Sequence, residues 1–293
     1  MRMLLLFLVH NLIFAMLLSV GLRLPIENIE AAAHRRGLIT RTVLVTNVVV
    51  PLIAMVLVAI LPLTPLARGI ILLFAICPGA PFLIGKFKEQ THLSAVLLAI
   101  VSLCAVVTLP IWASIVQRLF ALQFQIHAVE VLLIVLRKLL VPLLIGVAIR
   151  QFTPRFAEPV ARVAAWFYKI ALAVALVIIL VKAGPQLLHV KLSSFLAVIL
   201  VTVVSALVGH VAGGPDLQDR GVIATFAALG NPALVATIIS HSYPNLPAGV
   251  LVAGYVIVRG LTILPYPLWV RRRLQPPAQQ HPLPPTTRPA HAA

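Results

Sequence analysis

The sequence predicts an all-α polytopic membrane protein of nine transmembrane helices, built as an inverted repeat with two discontinuous helices. Three observations carry the architecture. The 293-residue chain is 61% hydrophobic and 10% charged, with a mean hydropathy of +1.08, which lies outside the range of ordinary soluble domains. Its apolar runs are long enough to cross a bilayer, whose core of about 30 Å takes about 20 apolar helical residues, and they are apolar all round rather than alternating like barrel strands. The third observation is internal. The apolar run 68–84 breaks at Cys77-Pro78-Gly79-Ala80-Pro81, and a shift of 152 residues lays Arg68, Gly69, Ile71, Phe74 and Ala75 on Arg220, Gly221, Ile223, Phe226 and Ala227, with a second break at Gly230-Asn231-Pro232. Interrupted hydrophobic segments at corresponding places in two halves mark the binding site of a secondary transporter.

The spans follow in order. Span 3–22 starts behind Met1-Arg2 and has no small-x-small cleavage site before Arg23, so it is read as retained rather than as a signal peptide. Span 42–62 carries Thr46, Asn47 and Pro51; span 67–85 holds the first break; span 93–116 carries Ser102 and Thr108. Span 129–149 contains Arg137 and Lys138, span 160–181 contains Lys169, and span 192–212 ends near His210. Span 220–240 holds the second break, and span 247–270 contains Arg259. Residues 1–274 thus form the transmembrane bundle. Residues 275–293 are proline-rich with almost nothing apolar, too little to repay ordering, and read as a disordered cytoplasmic tail.

The two broken spans are five apart in order, so they run in opposite directions and the repeat is inverted. Spans 3–22 to 93–116 pair with spans 160–181 to 247–270, leaving 129–149 unmatched. Of the 23 lysines and arginines, fourteen fall in the loops after the first, third, fifth and seventh spans and in the tail, against five on the other side. The positive-inside rule then predicts an outside amino terminus and a cytoplasmic carboxyl terminus in a cell membrane.

A net charge of +16 would point to nucleic acid in a soluble protein; here it is read as loop charge that sets topology, and no nucleic-acid partner is expected. Cys77 and Cys104 both lie inside apolar runs, so neither a disulfide framework nor a zinc site is implied. No histidine, cysteine and carboxylate set has metal-ligand spacing. No nucleotide-binding glycine loop or nucleophile elbow occurs, so an enzyme is not expected.

Proline removes a backbone hydrogen bond and glycine permits sharp turns, so both breaks should be unwound. Freed peptide groups are tolerated at membrane depth only where they line a protein or water cavity. Half-helix ends then bring partial charges to the midplane, amino ends suiting anions and carboxyl ends suiting cations. Pro78, Gly79, Gly230, Asn231 and Pro232 are therefore candidate substrate-site residues, with Arg259 as a mid-span cation, no acidic residue lying deep in any span. Arg137, Lys138 and Lys169 have a plainer reading, snorkelling to the interface. Asn11 and Asn47 are further candidates for the substrate, and Thr46, Cys77, Ser102 and Asn231 for a coupling ion; cross-helix hydrogen bonding is the plainer reading for isolated polar groups of this kind, as for His10, Thr108 and His210.

These residues resemble the bile acid:sodium symporter superfamily. The resemblance rests on Cys77-Pro78-Gly79, on Gly230-Asn231-Pro232-Ala233-Leu234, on the stretch 14–22 ending Val20-Gly21-Leu22, on Pro51, and on Val141-Pro142-Leu143-Leu144-Ile145-Gly146, where Ile145 is an insertion. It implies a panel of spans 3–22, 129–149 and 160–181, a core of the other six with the broken helices crossing, and alternating-access transport of organic anions with sodium. It also places Leu83, Ile84, Phe226 and Gly230 at family sodium-site positions, with Thr46 at a further one. Leucine, isoleucine and phenylalanine offer no oxygen to a hard cation. The expectation is a secondary active transporter of a small organic anion with no cofactor, coupled to Na+, to H+ or to neither, with the bilayer as its environment and its oligomeric state open. Two alternatives stand beside it: a membrane-embedded ligand sensor or scaffold without transport, and a metalloid efflux carrier acting through Cys77.

Overall fold

The computed structural model describes residues 2–24, 34–77, 91–120, 122, 128–188, 190–242 and 248–274, with backbone alone at 2–10, 91–93, 128, 179–180, 182–188, 241–242 and 248–250. All regular structure among them is helical. The elements are α1 (Arg2–Leu22), α2 (Arg36–Ile60), α3 (Pro65–Ile76), α4 (Thr91–Phe120), α5 (Ala128–Val135, continuing through a π turn at Leu136–Leu140 into Val141–Phe152), α6 (Pro154–Leu188), α7 (Leu192–Ala212), α8 (Leu217–Ala228), α9 (Pro232–Ser242), α10 (Ala248–Ile263) and α11 (Pro265–Leu274). Seven described segments are long and apolar enough to cross a membrane, and α1 and α3 supply two shorter apolar stretches. This is a polytopic membrane protein. Each of the nine predicted spans overlaps one or more of these elements, span 67–85 only over its described residues 67–77.

Several boundaries differ from the predicted ones. α2 starts at Arg36 rather than 42, α4 runs on to Phe120, and α6 extends from Pro154 to Leu188 instead of 160–181. In each case the helix continues past the hydrocarbon-length run into polar sequence, where backbone hydrogen bonding persists although hydropathy falls. The predicted span 247–270 is two helices with a turn at Leu264, because Pro265 starts a new helix rather than continuing the old one. Pro78–Pro81, Leu83, Ile84 and the tail 275–293 lie outside the described residues.

The repeat is visible in the backbone. α3 and α8 are both twelve residues long, and the 152-residue shift superposes their ends: N-cap Thr64 on Asp216, C-cap Cys77 on Leu229. Each N-cap is extended and accepts a backbone hydrogen bond, Thr64 from the amide of Ala67 and Asp216 from that of Gln218. Each C-cap is extended too, with φ −89°, ψ 113° at Cys77 and φ −107°, ψ 120° at Leu229.

Helices α1, α5 and α6 pack as one group. Gly21 of α1 and Gly146 of α5 meet backbone to backbone: a Cβ on Gly21 would fall on the carbonyl oxygen of Leu143, and one on Gly146 on that of Leu18. Small residues of this kind let membrane helices approach closely. Ser19 of α1 donates to the carbonyl of Ala161 in α6 at 2.9 Å, and Arg23 faces Glu158 at 3.8 Å. The broken pair α8–α9 lies innermost, with 94% of its central window buried, against 22% for α6. α7 packs on α8 through Gly209, which sits against the backbone of Ala224.

Candidate functional site: the meeting of two broken helices

The carboxyl ends of α3 and α8 meet. The Asn231 amide donates to the carbonyl of Cys77 at 3.3 Å, and Gly230 lies so close to the Phe74 carbonyl that a Cβ there would overlap it. Glycine is therefore required at position 230 by approach rather than by a special φ. Past the break, Asn231 caps α9: its Oδ1 accepts from the amide of Leu234 at 3.1 Å, and Pro232 takes the first helical position, where a missing N–H costs nothing. Capping engages the carboxamide oxygen and leaves the nitrogen out of it. Asn231 is 2% exposed and Cys77 1%.

Arg259 of α10 completes the arrangement. It is 4% exposed; its Nε and Nη2 donate to the carbonyl of Ala228, the last residue of α8, at 3.1 and 2.7 Å. Its guanidinium carbon lies 5.2 Å from the centre of the Phe74 ring, a cation–π distance. No carboxylate pairs with it among the described residues. Placing an arginine mid-helix in a membrane costs about 2.5–3.5 kcal/mol on insertion scales, and here the negative end of α8 offsets part of that.

The mid-span cations separate by environment. Arg137 is exposed and Lys138 half-buried in the π turn of α5. Lys169 is exposed, its ammonium 5.5 Å from the ring centre of Trp166. Of the four, Arg259 alone turns inward.

Thr46 and Asn47 occupy a second place, the π turn Val45–Val49 of α2. Thr46 donates to the Thr42 carbonyl at 2.7 Å. Asn47 Nδ2 donates to the Val43 carbonyl and to Thr46 Oγ1, and its Oδ1 accepts from Thr108 of α4 at 3.1 Å. Pro51 has no N–H for the carbonyl four residues back, which is that of Asn47, and the indole Nε1 of Trp112 donates to that oxygen at 2.6 Å. Asn47 thus ties α2 to α4, while the bonds of Thr46 stay within α2. Ser102 is buried in α4 and Asn11 half-buried in α1. The structure brings Cys77, Gly230, Asn231, Pro232 and Arg259 together, while Pro78 and Gly79 lie outside the described residues.

A cavity of about 310 Å³ lies between α7 and α10–α11, bounded by Thr202, His210, Tyr266 and Trp269. Its inner wall, Ala206 and Ile263, packs on Ala228 and Leu229 at the end of α8. His210 Nδ1 and Tyr266 OH are 2.6 Å apart there.

A match to the Sodium Bile acid symporter family spans residues 11–190, from within α1 to just past α6. The chain belongs to the sodium bile acid symporter family. Comparison with curated proteins found no match. Membership makes the protein a membrane transporter by family, of a kind that handles small molecules. The matched segment holds the first break of this symporter-family chain, and the second reaches it through the internal repeat. Sequence reasoning missed Trp112, whose signal was Pro51 orphaning a carbonyl, and missed the Ala228 carbonyl, which has no side-chain signature.

Proposed function

We propose that the protein is a secondary transporter of the cytoplasmic membrane that moves a small organic anion by alternating access, with its amino terminus outside. The observation that carries this reading is the bond from Asn231 to Cys77, which joins two half-helix breaks of a family transporter at one buried point. The amino end of α9 there carries a partial positive charge, and Arg259 adds a full one nearby. An anion bound at the crossing would meet the Asn231 carboxamide nitrogen and the face of Arg259 not used on Ala228. Asn11 of α1 and Asn47 of α2 are proposed as more distant lining, with Thr46, Cys77 and Ser102 as secondary candidates for an ion.

Uptake of labelled bile acids and short carboxylates into proteoliposomes tests the reading. Saturable flux that falls at least tenfold in Asn231→Ala, with the folded fraction checked by melting, is the expected result. Absence of saturable flux for every anion would count against it. Ligand-induced stabilisation without flux would mark a sensor, and arsenite flux abolished by Cys77→Ser would mark a metalloid carrier.

A further inference from the structure

Two helices end at the crossing, and their ends are alike. α3 stops at Ile76 and α8 at Ala228, each followed by an extended residue. A helix carboxyl end carries roughly half a negative charge, so the pair presents about one negative charge made of backbone carbonyls. Buried carbonyls of this kind are where carriers with broken helices hold a small cation. In this protein the place is taken. Arg259 sets two N–H groups on the terminal carbonyl of α8 and lays its guanidinium over Phe74, in the last turn of α3.

We infer that Arg259 is a resident cation at the crossing, tethered to α10, which makes a soluble monovalent cation there unnecessary and excludes it. One guanidinium offsets the two helix ends. A sodium ion beside it would lose its water, meet a like charge within a few ångströms, and find the Ala228 carbonyl already engaged. The residues that flank Ala228 in the chain are Ala227, Leu229 and Gly230, none with a side-chain oxygen.

The cation part of the test needs no substrate. Purified protein is melted in sodium, potassium and choline chloride at equal ionic strength, and the wild type is expected to unfold at the same temperature in all three. Arg259→Ala is expected to melt lower and to recover part of the loss in millimolar guanidinium, or in sodium over choline; Arg259→Lys should keep the indifference to sodium. A saturable, sodium-specific rise in the wild-type melting temperature would overturn the inference. So would an Arg259→Ala protein that folds and responds to neither ion, since Arg259 would then be a structural clasp. If Arg259→Ala does not fold, the wild-type titration decides alone. The anion part rests on the transport reading: taurocholate or pyruvate flux should be equal in sodium and choline. Flux that needs sodium overturns the resident cation and leaves transport standing. No flux of either probe counts against transport and leaves the melting experiments to decide the cation.

Discussion

Asn47 shows how one residue holds two helices while another creates the need for it. Pro51 orphans the Asn47 carbonyl, and Trp112 of α4 satisfies it at 2.6 Å. Leaving a buried acceptor unpaired costs about 1–3 kcal/mol. Trp112→Phe, which keeps the ring and removes the donor, should therefore lower the melting temperature of the purified protein. Pro51→Ala restores the missing N–H, so Trp112→Phe should cost less in that background; a double-mutant cycle with zero coupling would disprove the link. Much of this was legible, since Thr46, Asn47 and Thr108 are polar groups in apolar runs with a plain cross-helix reading. The indole was not legible because its acceptor is a backbone oxygen, present at every position. Arg259 repeats the point: its isolation from acids could be read from the chain, but its partner is the Ala228 carbonyl.

At the scale of elements, glycine contact sets the geometry of α1 against α5. Gly21 and Gly146 stand on each other's helix backbone, so no side chain can be added without parting the pair. Gly21→Leu and Gly146→Leu should each destabilise by about 1–3 kcal/mol or more, read as lower melting temperature and lower monodisperse yield, whereas Gly37→Ala, where a Cβ meets nothing within 4 Å, should be nearly neutral. The helix breaks could be read from sequence because proline, glycine and asparagine have strong local meaning. Helix ends could not: Arg36, Arg41, Arg155 and Arg162 lower hydropathy without breaking hydrogen bonds, so α2 and α6 outrun their apolar windows. The split between α10 and α11 was available in Leu264-Pro265-Tyr266-Pro267, and a window wide enough to find a membrane span averages over it.

For the whole molecule, the repeat makes a claim about sides. α3 and α8 have equal length and matched caps, and they fall on spans five apart in order, so their amino ends should open on opposite faces of the membrane. Charge supports the same assignment, because the loop before α8 is followed by Arg220 and lies near Arg35, which bonds Asp219 at 2.9 Å, whereas the turn before α3 is poor in cations. Pro62 and Pro215 precede the two helices and are exposed. In a Cys104→Ala background, where the remaining Cys77 is buried, Pro62→Cys should react with a membrane-impermeant maleimide in intact cells. Pro215→Cys should react only after the cells are permeabilised. Labelling of both from the same side would remove the inverted repeat, and labelling of each from the opposite face to that expected would keep the repeat but reverse the orientation.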